Sequence, residues 1–318
     1  MKTLIRIAQI IPLPVFTLAL FFFLAGCATT VPVKTERLPN LNTAGVSRIA
    51  VMPFKTASDE KIYRDIAIHA AKTANARIKE MNFFTVIESD EIDRLTNSGQ
   101  NLGDNVDALF SGEIKHIRVD SDEHETVTIT KTDEDETEVV FNSVYRTRAE
   151  LEFNYYITFV RDGRIAGPLT VKGSKRLSAV ESIPSPESML AGIVDEQFKF
   201  LGRDLAPYTI IENRALAKEK IINDSTLKAK MKDAQMLVKA GNYLGAIDSY
   251  LGIYETYKSL AAAKNAVTLY EAMEHYESAV TFMQKVVRET GEQTARETLA
   301  RLMGIVRDQE VLTAEYAR

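Results

Sequence analysis

Cysteine occurs once in these 318 residues, at position 27, so no internal disulfide can brace the fold. Catalytic signatures are missing too. There is no hydrolase elbow, P-loop or dinucleotide fingerprint, and Gly103, Gly112, Gly163 and Gly167 are scattered where turns are expected. The four histidines, His69, His116, His124 and His275, have no partner at metal-ligand spacing. His124 lies in an acidic run with Asp120, Asp122, Glu123 and Glu125. A calcium loop needs a glycine-permitted turn, however, and no glycine lies between Asp120 and Glu138, so that run reads as a solvated hairpin. Positive charge is not in excess either: 39 basic side chains face 44 acidic ones. Such a chain has no general attraction to phosphate backbones or anionic headgroups, which excludes a nucleic-acid partner. We therefore expect no enzyme, no cofactor and no metal site.

What is there begins at the amino terminus. Lys2 and Arg6 precede an apolar run from Ile7 to Phe23 that leads into Leu24-Ala25-Gly26-Cys27. A basic start, an apolar segment and small residues before a cut are the parts of an export signal. The run is marginal in length for a span, and Pro12 and Pro14 would kink it. The tetrapeptide resembles the lipobox of bacterial lipoproteins. That resemblance implies cleavage before Cys27, a diacylglyceryl thioether on its sulfur and an acyl chain such as palmitate on its new amino group. Two or three acyl chains hold a protein on a bilayer stably. In such lipoproteins an aspartate after the cysteine favours the inner membrane. Ala28 stands there, so a periplasm-facing anchor in the outer membrane is expected. Loss of residues 1–26 leaves 37 basic against 44 acidic side chains, a formal net charge of −7.

The mature length predicts two domains, and the sequence changes character near residue 208. Residues 27–46, with Thr29, Thr30, Pro32, Pro39, Asn40 and Asn42, read as a linker. Residues 47–208 read as an α/β domain. Arg48 to Phe54 is a short buried strand, and a helical stripe of Ile62, Ile66, Ala70, Ala74 and Ile78 follows. Phe83 to Glu88 forms the second strand, and Ser89 or Asp90 is placed to cap a short helix through Leu95. The third strand is Ala108 to Val119. Thr126 to Thr130 and Glu138 to Thr147 read as hairpin arms with Asp133-Glu134-Asp135-Glu136 at the tip, and Ala149 to Val160 as a half-buried strand. Asp162-Gly163 signals a tight turn into Ile165 to Lys175, and a helix from Pro186 to about Leu205 closes the domain.

The segments RIAVMPF, FFTVIES, DALFSGEI and FVRDGRIAG in this order resemble the lipoprotein α/β domain of the curli secretion channel family. The plan is similar to the amino-terminal domain of the Tol translocation protein, and to bacterial lipoproteins that join such a domain to helical repeats. The resemblance spans roughly residues 46–208 and carries no catalytic signature. The channel subunits supply long amphipathic hairpins to a shared barrel, whereas the hairpin here has an acidic tip and arms with weak outward apolar bands. A spanning strand needs about nine to eleven residues of apolar alternation.

Residues 209–318 are rich in Ala, Lys, Glu, Leu and Met, and the last proline is Pro207. Shifting this half by 33 residues aligns Gly241-Asn242-Tyr243-Leu244-Gly245-Ala246 and Tyr250 with Glu274-His275-Tyr276-Glu277-Ser278-Ala279 and Met283. The spacing resembles the tetratricopeptide repeat. Small Ala246 and Ala279 would let paired helices approach, while Tyr243, Tyr250 and Tyr276 fill the space between pairs. Glu274 replaces the expected glycine, and the closing proline is absent from both copies. Two repeats need caps, and helices from Glu212 to Ile222 and from Thr294 to Glu310 are expected to supply them. The resemblance puts Lys228, Lys232, Gln235, Lys239, Lys264, Asn265 and Glu271 on or near a concave face that holds a peptide.

The expected fold is thus α+β, an α/β-layer domain with a mixed sheet, joined to an all-α helical-repeat domain. The expected protein is a lipid-anchored envelope scaffold, bound to the membrane through Cys27 and to another envelope protein through its repeats. A homo-oligomeric outer-membrane secretion channel and a lipoprotein regulator of a cell-wall synthase are the alternatives.

Overall fold

The computed structural model describes residues 29–131, 137–179, 184–219 and 224–316, without the side chains of residues 124–131, 137–143 and 179. The leader, Cys27, the His124 side chain and the tip Asp133-Glu134-Asp135-Glu136 lie outside the described residues. Along the chain run β1 (Thr30–Arg37), β2 (Arg48–Val51), β3 (Lys55–Thr56), α1 (Lys61–Glu80), β4 (Thr85–Ile87), α2 (Ser89–Asn97), β5 (Ala108–Lys131), β6 (Thr137–Phe159) and β7 (Ile165–Ala179). Then come α3 (Pro186–Gln197), α4 (Leu201–Leu205), β8 (Tyr208–Ala215), α5 (Ser225–Lys239), α6 (Tyr243–Tyr257), α7 (Leu260–Ala272), α8 (Tyr276–Thr290) and α9 (Gln293–Val311). Two compact units result. One contains Glu36–Thr209 with residues 308–316, the other residues 29–35 with Ile210–Arg307.

In the α/β unit a mixed sheet has the order β4-β2-β5-β6-β7, with β3 also on β5. β2 runs parallel to β4 and β5, as strands joined through a crossover helix must. β5, β6 and β7 are successively antiparallel. Helix α1 buries Ile66, Ala67, Ala70, Ala74 and Ile78, residues at helical spacing on one face. They join Ile49, Phe110, Ile114, Phe153, Tyr155 and Ile157 of the sheet, and Met189, Leu190, Ile193 and Val194 of α3, in one core. Phe153 and Phe198 meet edge to face with centroids 5.5 Å apart, and Phe54 and Phe198 at 6.4 Å. Gly112 makes the second of these contacts possible, since a Cβ there would meet the Phe54 ring.

Several expectations require correction. Residues 27–46 are not a spacer over their described part. Val31, Val33 and Thr35 of β1 are buried at every second position, a strand alternation that Pro32 and the surrounding threonines mask in the sequence. Leu41 and Val46 lie in the α/β core, and the Thr43 hydroxyl donates to the Leu205 carbonyl at 2.7 Å. Ser89 and Asp90 do not cap α2: both lie inside it, and the N-cap Glu88 makes no side-chain cap bond. The third strand does not stop at Val119. β5 and β6 pair without a loop from Ala108↔Phe159 to Lys131↔Thr137, with one irregularity between Ile114 and His116, so the expected hairpin arms are continuations of core strands. Gly112 and Gly167 lie in strands rather than turns. The helix expected from Glu212 to Ile222 is β8 as far as Ala215 and irregular chain over residues 216–219, because Thr209, Ile210 and Ile211 favour strand and β1 is there to pair with it.

In the helical unit, α6 and α8 begin 33 residues apart, as do α7 and α9. One core joins α5, α6 and α7 through Leu227, Met231, Ala234, Ile247, Tyr250, Ile253, Ala266 and Leu269. A second joins α6 to α9 through Tyr254, Ala263, Val267, Ala279, Met283, Val286, Ala295 and Leu302. Tyr250 and Tyr276 are buried and Tyr243 half-buried. Among the described residues no helix is long and apolar enough to cross a membrane.

A candidate peptide-binding face

The expected contact residues fall on two helical stripes. Lys228, Lys232, Gln235 and Lys239 recur at three- and four-residue steps on α5, and Lys264 and Glu271 lie two turns apart on α7, with Asn265 beside Lys264. Local chemistry fixes both helices. The Asp224 carboxylate accepts the Leu227 N–H at 2.8 Å at the start of α5, and the Ser259 hydroxyl accepts the Ala262 N–H at 3.1 Å at the start of α7. Ala262, Ala263 and Ala266 are fully buried, which lets neighbouring helices approach α7 closely.

This face is occupied by the chain itself. Residues 212–219, the strand end of β8 as far as Ala215 and the irregular chain after it, lie along it. Asn265, 2% exposed, holds Ala217 at both of its backbone groups: its Oδ1 accepts the Ala217 N–H at 2.6 Å and its Nδ2 donates to the Ala217 carbonyl at 3.0 Å. Leu216 is buried among Leu227, Met231 and Tyr250, which is worth about 1.5–3 kcal/mol. Glu271 has no exposed surface and receives three guanidinium donors. Arg301 reaches it in bidentate fashion at 2.7 and 2.6 Å, and Arg214 of β8 donates to it as well. Burial opposes the charge on Arg214, but Glu271 and Glu212 outweigh it and raise its pKa above the ordinary value. At the far end the Ser259 hydroxyl donates to Glu219. Thr29 closes the arrangement: its carbonyl accepts the Leu216 N–H at 2.9 Å and its hydroxyl the Gln235 amide at 2.6 Å.

Recesses flank the segment on both sides. One of about 210 Å³ lies among Leu216, Lys218, Lys228, Lys232, Gln235 and Tyr250. Another of about 430 Å³ lies among Arg214, Lys264, Thr268, Thr298 and Arg301. Burial pushes the Tyr250 hydroxyl up to about 12, with Asn265 acting the other way, so it stays a neutral hydrogen-bonding group. Lys239 lies at the end of α5 and lines neither recess, and Lys228 and Lys232 are exposed. The expectation of an open face therefore needs correcting at Asn265 and Glu271, which the chain's own segment has taken. Sequence reasoning missed Arg214, Leu216, Ala217 and Arg301. No local signal marks them, because Arg214, Ala217 and Arg301 act through pairings across 30 to 57 positions and Leu216 through burial against α5 and α6.

The α/β unit has a cavity of its own, about 460 Å³ and mainly apolar, where β2 and β4 end against α1 beside Ile68, Lys72 and Glu88. Among the described residues no group of three or more His, Cys, Asp or Glu side chains converges as a metal site.

No known family matches the chain, and no curated protein matches it. Solved structures do. The PelC dodecamer from Paraburkholderia phytofirmans matches at 11% identity over 55% of this chain and 98% of its own, with a TM-score of 0.29. Lipoprotein GNA1162 from Neisseria meningitidis matches at 13% over 48% and 98%, with a TM-score of 0.26. A minor lipoprotein from Acinetobacter baumannii matches at 7% over 51% and 92%, with a TM-score of 0.23. At these TM-scores the likenesses fix neither an assembly nor an activity for this chain.

Proposed function

We propose that this is a lipid-anchored protein of the bacterial cell envelope that holds an extended segment of another envelope protein on its helical half. It is not an enzyme. The supporting observation is that the α5–α7 face already holds a non-helical peptide segment, its own residues 212–219, by a two-point backbone clamp, an apolar socket and a buried carboxylate. Backbone clamping and side-chain sockets are how grooves recognise extended peptides generally. The 33-residue spacing of helix starts supports a tetratricopeptide-like reading of the stack. The lipobox-like Leu24-Ala25-Gly26-Cys27 supports the anchor, with palmitate or a similar acyl chain at Cys27 and the outer membrane as its site. The α/β unit orients the repeats or makes a second contact.

One observation favours a second reading, a subunit of an oligomeric secretion channel. β5 and β6 are 24 and 23 residues long and remain paired far beyond the last core contacts. Extraction in mild detergent followed by light scattering separates the two. A monomer, or a small complex with one recurrent partner, supports the scaffold. A large ring of identical subunits sinks it and makes the hairpin the functional element.

A further inference from the structure

The occupied face carries its own specificity. We infer that the groove between α5 and α7 is a peptide site for the pattern Arg-x-Leu-x-x-Glu in a non-helical conformation, and that residues 214–219 are its resident pseudo-ligand. The inference rests on the proposed function and names the chemistry of the segment that this face takes. Each position of the pattern has a receptor group. Glu271 selects the arginine: it is fully buried, and Arg301 alone leaves the Arg214 position to be filled. The socket beside Met231 and Tyr250 takes the leucine two residues on. Asn265 engages the N–H and carbonyl of the next residue, here Ala217, so any side chain is tolerated there but proline is not. The Ser259 hydroxyl meets the carboxylate that ends the pattern. Arg214 belongs to the end of β8 and residues 216–219 follow it outside any helix or strand, so the receptor groups meet a non-helical segment through particular side chains and through the backbone of Ala217.

The resident segment competes from a tether. Covalent attachment holds it at an effective concentration on the order of millimolar or above, so a free segment of the same pattern gains entry only when the resident one is weakened or when its own additional contacts outweigh the tether. The flanking recesses with Lys232 and Lys264 are where such additional contacts are made.

The test uses the full chain and a fluorescent peptide of residues 212–219, Glu-Asn-Arg-Ala-Leu-Ala-Lys-Glu. In the Ala217→Pro variant the resident segment loses the N–H that Asn265 accepts, while the groove keeps every receptor group. The peptide should bind this variant at least about tenfold more tightly than it binds the unaltered chain, since the tethered competitor is weakened. A peptide carrying Leu216→Asp or Arg214→Ala should lose that gain. Should circular dichroism show Ala217→Pro to be unfolded, Leu216→Ala in the full chain takes its place with the same expectation. Equal binding to the unaltered chain and to a folded variant overturns the inference, as does binding that ignores the Leu216→Asp change. The two readings fail separately. A failed peptide titration leaves intact any partner cross-linked from Lys264, and the absence of such a partner leaves the peptide titration intact.

Discussion

Asp107 shows how much one side chain can fix. It stands just before β5, where its carboxylate accepts the backbone N–H groups of Ser47 and Arg48 at 3.0 and 2.8 Å and the Arg48 guanidinium at 2.9 Å. Burial alone would raise its pKa, but these three donors outweigh it and hold the group below its ordinary value. A carboxyl whose folded pKa is depressed contributes stability above its unfolded pKa, about 3.9, and loses it as pH falls through the folded value. Asp107→Asn should therefore cost about 1–3 kcal/mol at pH 7 and flatten the acid limb of the stability curve below about pH 4, as denaturant melts at several pH values would show. Glu271 is a case of the opposite kind, a carboxylate buried for the sake of its partners. Arg301→Ala alone leaves Arg214 in place. Arg214→Ala with Arg301→Ala strands a buried charge and should cost about 3–5 kcal/mol, more than the two single losses together, in a double-mutant cycle. Neither residue announces itself in the sequence. Glu271 was legible as part of a polar stripe on α7, but its burial depends on two arginines that no spacing rule links to it.

The elements were legible where their periodicity is strong and local. Helix α1 follows its Ile66, Ala70, Ala74, Ile78 stripe, and the parallel pairing of β2 with β4 and β5 follows from strands separated by helix-length connections. They were illegible where pairing with a distant segment decides the outcome. β1 looks like a proline-bearing spacer until β8 is beside it, and β8 sits in a region whose composition suggests helix. In the sequence the long hairpin reads as two separate elements because the charged residues from Asp120 to Glu125 interrupt the apolar alternation, yet backbone pairing continues through them. Its core ends early: Ile114 and Ala149 lie in the buried cluster, whereas Asp122 and Glu123 are exposed. Replacing residues 124–144 by Asn-Gly joins the paired Glu123 and Tyr145 through a two-residue turn. That deletion should change the unfolding free energy of the α/β unit by less than about 1 kcal/mol. Loss of folding would show that the distal ladder is structural.

Over the whole molecule, charge and attachment divide the work. The chain without residues 1–26 carries a formal net charge of −7, yet α5 alone bears four lysines against one aspartate, and two of them, Lys228 and Lys232, line a recess of the α5–α7 face. Attraction to an anionic bilayer is not available to a chain of this net sign, so in the proposed reading attachment falls to acyl chains at Cys27. Cys27→Ser should move the protein from the membrane fraction to the soluble one, and the intact mass of the unaltered protein should lack residues 1–26 and include added acyl mass. The account stands or falls on partner binding at the α5–α7 face. The measurement that bears on it most directly places a photo-crosslinking amino acid at Lys264 in the full-length chain in living cells, with the same group at Lys172 on β7 as the control. The account predicts one recurrent envelope protein joined at Lys264, absent from the Lys172 control and lost when Lys228 and Lys232 are changed to Glu. Adducts only between copies of this chain, or the same adducts from both positions, would contradict it.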